Sequence, residues 1–229
     1  MTAIPIVALD FPDVERAMTL VKTLDEKVRF YKVGSELFTS SGADVVQWLR
    51  DSGCDVFLDL KFHDIPNTVA GAMRRVAEMG VRLATVHASG GLKMMEAAVD
   101  AAGANCGVLA VTVLTSLNDA SLAEAWGRER VDVENEVLRL AELARTAGCH
   151  GIVCSGQEAQ GVTSRHGNAL KLLVPGIRLP GDAADDQARI VTPEMAVSSG
   201  ATYLVLGRAV TAAKDPRKAM DSVNRSIGR

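Results

Sequence analysis

The sequence predicts an α/β protein, a single-domain (β/α)8 TIM barrel over residues 1–229. Three observations carry that expectation. Eight short apolar runs alternate with longer amphipathic stretches along the whole chain. No linker or low-complexity segment divides them, and the length suits one such barrel. No GxGxxG follows the first run, which removes the usual reason to prefer the structural alternative, an open doubly wound sheet.

The elements follow in order. The strand expected in "IPIVALD" (4–10) leads into the helical pattern "VERAMTLVKTL", and "RFYKVG" (29–34) into "GADVVQWLRDSG". Next come "DVFLDLK" (55–61) with "TVAGAMRRVAEMG", and "RLATVHA" (82–88) with "GLKMMEAAVDAAG", in which Met94 and Met95 read as core. After "GVLAVTV" (107–113) the longest insert, 114–150, has room for two helices. "GIVCS" (151–155), "KLLVPGI" (171–177) and "TYLVLGR" (202–208) complete the set. Most runs place apolar residues side by side rather than alternating them, as strands covered on both faces do in a parallel sheet. Several helical patterns stop at Gly just before the next strand.

Composition narrows the function classes. With 48% hydrophobic residues the chain can fill a sizeable core. A net charge of −3, only 4% aromatics and no basic run with interleaved aromatics argue against nucleic acid as a partner. Cys54, Cys106, Cys149 and Cys154 have apolar neighbours and no second pair at metal-ligand spacing, so buried thiols are expected. "MTAIPIVALD" has no basic n-region, and no segment approaches a membrane-spanning length of apolar residues. A cytoplasmic protein without a membrane partner is the expectation.

Active sites of these barrels lie at the C-terminal ends of the strands. There the sequence places Asp10 after the first strand, Lys32 near the end of the second, and Asp59 and Lys61 at the end of the third. Side chains alternate along a strand, so Asp59 and Lys61 are expected to point the same way, with Asp64 just beyond on the loop. Singly, each has a structural reading. Asp10 could close a turn, Asp64 could cap the helix that begins near Pro66, and the lysines could form surface ion pairs. Together, at one end of three neighbouring strands, they read as a reaction centre. His63 is expected to face away from it, and His87 to hydrogen-bond within the barrel mouth; neither is assigned a catalytic role.

The loops after strands seven and eight are the usual phosphate site of this fold. Arg178 and Gln187 lie on the first of them, and Gly207 and Arg208 open the last helix after the second. Glycine lets an anion approach the backbone, a helix start offers free N–H groups, and arginine adds a bidentate cation.

Taken together, "DLKFHDIPNT", "VALD", "YKVGSELF", "VTVLTS", "LVPGIR" and "LVLGRAV" resemble, in order and spacing, the bacterial orotidine 5′-phosphate decarboxylases over essentially the whole chain. The resemblance implies conversion of orotidine 5′-phosphate to UMP and CO2 in pyrimidine biosynthesis. It implies Lys61 as proton donor within an Asp59–Lys61–Asp64 array linked to Lys32. It implies Asp10 and Lys32 at the ribose hydroxyls, Thr115 at the pyrimidine, and Arg178, Gln187, Gly207 and Arg208 at the phosphate. It further implies an obligate homodimer in which Asp64 and Thr68 reach the neighbouring subunit's site, with no metal and no organic cofactor.

The chemistry accounts for these residue types. Loss of CO2 from C6 of a uracil ring leaves a carbanion with no adjacent carbonyl, so charges placed in advance must stabilise it. Aspartates on either side favour the ammonium form of Lys61. A carboxylate about 4 Å from the substrate's own adds repulsion of about 4 kcal/mol at an effective dielectric near 20. Large catalytic effects reach about 20 kcal/mol, so stabilisation by Lys61 is expected to dominate, with remote phosphate binding holding the substrate in place. The rivals are a phosphosugar aldolase, synthase or epimerase on the same scaffold and a non-catalytic phosphate-binding barrel. A Schiff-base aldolase needs a neutral lysine, which the two aspartates oppose, and a binding barrel has no use for the array.

Overall fold

The computed structural model describes residues 3–179 and 191–229. Eight parallel strands close in sequence order: β1 (Ile4–Ala8), β2 (Phe30–Gly34), β3 (Asp55–Phe62), β4 (Leu83–His87), β5 (Gly107–Val111), β6 (Gly151–Val153), β7 (Lys171–Val174) and β8 (Tyr203–Leu206). All eight expected strands are present. Pairing of Ile4 with Tyr203 through Val7 with Leu206 shuts the barrel. Closure leaves no sheet edge, so backbone polar groups along the strands are satisfied internally.

The strands are apolar on both faces because two cores use them. Ile6, Phe30, Phe57, Leu83, Leu109, Leu173, Tyr203 and Val205 fill the barrel interior. Intervening residues such as Val7, Tyr31, Val56, Leu58, Ala84 and Leu204 join the larger core between strands and helices. Met94 and Met95 are buried in it, as are the four cysteines, none in a disulfide. Among the described residues no helix is long and apolar enough to cross a membrane.

Helix ends follow local chemistry. Asp13 caps helix Val14–Leu24 by accepting from the Arg16 amide at 2.9 Å, and Gly103, at φ 62°, ends helix Leu92–Ala102. The long insert holds two helices, Asp119–Ala125 and Val133–Thr146. Two segments differ from the sequence expectation. After β2 there are two helices, Ser35–Ser41 and Asp44–Asp51, because Gly42 breaks the run at φ 62°. Arg208 opens a four-residue helix, Arg208–Thr211, and not the last one; Asp215 precedes Pro216 in extended backbone and starts helix Pro216–Ser226 afresh.

Candidate active site

At the C-terminal mouth, residues of the inward-facing rows turn from apolar to charged. Lys32 follows Phe30 on β2, and Asp59 follows Phe57 on β3. Their side chains form a line of alternating charge. Lys32 Nζ lies 2.7 Å from Asp10 Oδ1 and 3.6 Å from Asp59 Oδ2, while Lys61 Nζ lies 2.9 Å from Asp59 Oδ1. Burial alone pushes the Asp59 carboxyl up. Lys32 and Lys61 beside it, with hydrogen bonds from Lys61 and Thr85, overcome that and hold it below the usual carboxylate range. Asp59 is therefore an anion at neutral pH.

Two residues that sequence reasoning passed over make this geometry possible. A Cβ on Gly34 would stand 2.8 Å from Asp10 Oδ1 and 2.9 Å from Lys32 Nζ, so any side chain there would displace one partner of that ion pair. Thr85, fully buried on β4, donates to Asp59 Oδ1 at 3.0 Å and accepts from the Lys61 amide at 2.9 Å. Its signal was legible: Thr85 is two residues beyond inward-facing Leu83, so alternation aims its hydroxyl into the mouth.

Asp59 and Lys61 do converge, though not by regular alternation. The β3–β4 ladder pairs Leu58 with Ala84 and then Phe62 with Val86, so three residues of β3 lie opposite Thr85 alone. Lys61 sits in this bulge at φ 51°. The sequence pattern predicted the right neighbours through the wrong backbone.

Two cavities open here. One of about 400 Å³ is bordered by Lys32, Asp59, Lys61 and Thr115, with Phe57, Val111, Leu173 and Val205 making its apolar wall. A second, of about 330 Å³, is bordered by Asp10, Lys32, Arg178, Gly207 and Arg208. Lys32, Pro175 and Val205 line both, which makes one cleft with an apolar end and a cationic end. A Cβ on Gly207 would meet nothing within 4 Å, so the backbone there faces open space. Gln187 lies outside the described residues. Asp64 and Thr68 line neither cavity; they are exposed on the rim. Asp64 does not cap the following helix, whose N-cap is Ile65; its carboxylate accepts from the Ile65 amide at 2.6 Å.

Among the described residues, no group of three or more His, Cys, Asp or Glu side chains is placed to hold a metal ion. The His87 ring makes no side-chain hydrogen bond to a described residue, contrary to expectation. Its ring packs against that of His63, centroids 5.3 Å apart, and burial, with His63 and Lys61 nearby, holds its pKa below the ordinary histidine value.

A family model described as orotidine 5′-phosphate decarboxylase / HUMPS family matches residues 4–223. The chain is 51% identical over 222 residues to the orotidine 5′-phosphate decarboxylase of Pseudomonas syringae pv. tomato, covering 95% of this chain and 94% of that one. It is 49% identical over 227 residues to that of Pseudomonas aeruginosa, covering 97% of each. The crystal structure of the Lactobacillus acidophilus orotidine 5′-phosphate decarboxylase matches with a TM-score of 0.88 at 35% identity, covering 100% of both chains. That from Pyrococcus horikoshii matches with a TM-score of 0.80 at 25% identity, covering 99% of this chain and 100% of that one.

Proposed function

Because the chain belongs to the orotidine 5′-phosphate decarboxylase / HUMPS family, we propose that it converts orotidine 5′-phosphate to UMP and CO2. The observation that carries this reading to the site is the Asp10–Lys32–Asp59–Lys61 line bordering a cleft with one apolar and one cationic end. The apolar end suits a pyrimidine, with Thr115 in reach of its polar edge. The cationic end, with Arg178, Gly207 and Arg208, suits a phosphate dianion. Lys32 lines both cavities and Asp10, ion-paired to it, lines the second, which suits the two to the ribose hydroxyls.

In this reading Asp59 stays ionised beside the substrate carboxylate and disfavours it. As the C6–CO2 bond breaks, its electron pair remains on C6, next to the Lys61 ammonium. Lys61 stabilises that charge and then transfers a proton to C6, giving UMP. Two anions about 4 Å apart repel by about 4 kcal/mol at an effective dielectric near 20, well short of the roughly 20 kcal/mol that large catalytic effects reach, so transition-state stabilisation dominates. Purified protein mixed with orotidine 5′-phosphate in excess chelator should consume the substrate's ultraviolet absorbance. Turnover that stops in chelator and returns with Mg2+ would sink the metal-free mechanism.

A homodimer completes the site, with Asp64 and Thr68 serving the neighbouring subunit. Three features support this: both residues are exposed on the rim, Asp64 is ion-paired to no described residue, and Ile65 between them is 67% exposed. Lys61→Ala and Asp64→Ala chains, each inactive alone, should then rescue one another on mixing. About half of randomly exchanged dimers are hybrids with one intact site, so activity should recover to about a quarter of the parent level. No recovery after verified exchange refutes a shared site.

A further inference from the structure

Lys61 occupies an expensive conformation. Among the described non-glycine residues only Asp25 and Lys61 have positive φ. Asp25 follows the last turn of helix Val14–Leu24 at an exposed position. Lys61 lies inside a strand, where φ 51° costs of the order of 1–2 kcal/mol and persists only if its surroundings impose it. Thr85 stands alone opposite the three bulged residues Asp59, Leu60 and Lys61. Its single hydroxyl accepts from the Lys61 amide and donates to Asp59 Oδ1, the same oxygen that receives the Lys61 ammonium. Lys61 is thus held at both ends of the residue, at its amide and its Nζ, and Thr85 joins the two anchors.

We propose that Thr85 is a positioning residue for the decarboxylation: its hydroxyl holds the β3 bulge in the one arrangement that aims the Lys61 ammonium into the cleft beside Asp59. The inference rests on the reading in which Lys61 delivers the proton. A hydroxyl is the smallest group that can donate and accept at once, and Thr85 presents it from a fully buried position. Without it, the Lys61 amide and one side of Asp59 lose a buried partner. The bulge can then relax toward a regular strand, which carries the ammonium away from where the carbanion forms.

The test compares Thr85→Val, which keeps the shape and removes the hydroxyl, with Thr85→Ser, which keeps the hydroxyl. Steady-state decarboxylation and UMP binding by calorimetry are measured for both beside the parent. For the valine variant kcat should fall about 30-fold, as expected for a buried hydrogen bond to charged groups. Its KM and UMP affinity should stay within about threefold, because the phosphate end of the cleft is untouched. The serine variant should keep kcat within about threefold of the parent. A valine variant with parental kcat, or a serine variant as impaired as valine, overturns the proposal. So does a loss confined to KM. If the valine variant does not fold by circular dichroism, Thr85→Ala is judged by the same criteria, and failure of both to fold assigns Thr85 to barrel stability instead. An inactive parent strikes at the decarboxylase reading itself and takes this proposal with it; an active parent beside an unimpaired valine variant strikes at Thr85 alone.

Discussion

Strand β3 carries an aspartate near each end, and each is set between two cations. At the strand's start, Asp55 meets Arg82 at 2.6 Å and Arg50 at 3.9 Å; toward its end, Asp59 meets Lys61 at 2.9 Å and Lys32 at 3.6 Å. The side chain of Asp55 is 39% exposed and that of Asp59 only 12%. Water around Asp55 screens its partners, so such a pair contributes about 0–1 kcal/mol. Asp59 is far more buried, so its two ammonium partners are screened less, and the carboxylate is held ionised despite burial. The cations differ as well. Arginine does not release its proton in a protein, and Arg82 lies over the Phe30 ring, its guanidinium 5.2 Å from the ring centroid. Lysine can release its proton, and Lys61 borders a cavity. In the proposed reading, one arrangement of charges serves as a brace at the bottom of the barrel and as a reaction centre at the top.

The largest expected effect breaks the upper end. Lys61→Ala should lower kcat about 10⁴-fold or more, the product of its proton-donor and electrostatic contributions. UMP binding should survive far better, and calorimetry checks it. Turnover within tenfold of the parent means the donor is misassigned.

A smaller effect comes from crowding the upper end without removing a charge. Gly34→Ala puts a methyl group against the ends of two flexible side chains, so the fold should hold while Lys32 and Asp10 separate. We expect kcat/KM to fall about tenfold, the cost of roughly 1.4 kcal/mol of lost alignment. A melting midpoint equal to the parent's, beside that kinetic loss, is the signature. A parental kcat/KM shows that the Asp10–Lys32 contact is dispensable.

The smallest effect belongs to the lower end. Asp55→Asn should leave kcat/KM within about twofold and cost at most about 1 kcal/mol in urea unfolding. A kinetic loss comparable to that of Gly34→Ala removes the distinction between the two ends.

The order of strands, their covering on both faces and the charged residues at their ends were legible in the sequence, because strand periodicity and the end at which such barrels place their sites are local and general rules. Asp10, Lys32, Asp59 and Lys61 could be gathered by those rules alone. Gly34 could not, since its requirement for space comes from Asp10, just past the end of another strand. The breaks at Gly42 and before Pro216 had local signals that periodicity overrode. Gln187, expected at the phosphate end, lies outside the described residues.

What the sequence by itself determined, then, is which residues face inward and at which end charge collects, because both follow from alternation along each strand. What only the tertiary structure decided is how Lys61 reaches Asp59. Alternation predicts a flat, regular path for β3; the barrel instead accommodates three of its residues opposite Thr85 and turns Lys61 to positive φ. There the Thr85 hydroxyl on β4 accepts from the Lys61 amide and donates to the Asp59 carboxylate, contacts between strands that no spacing along a single strand encodes. The same holds for the charge on Asp59, which depends on burial by the whole barrel set against two lysines, one of them from β2.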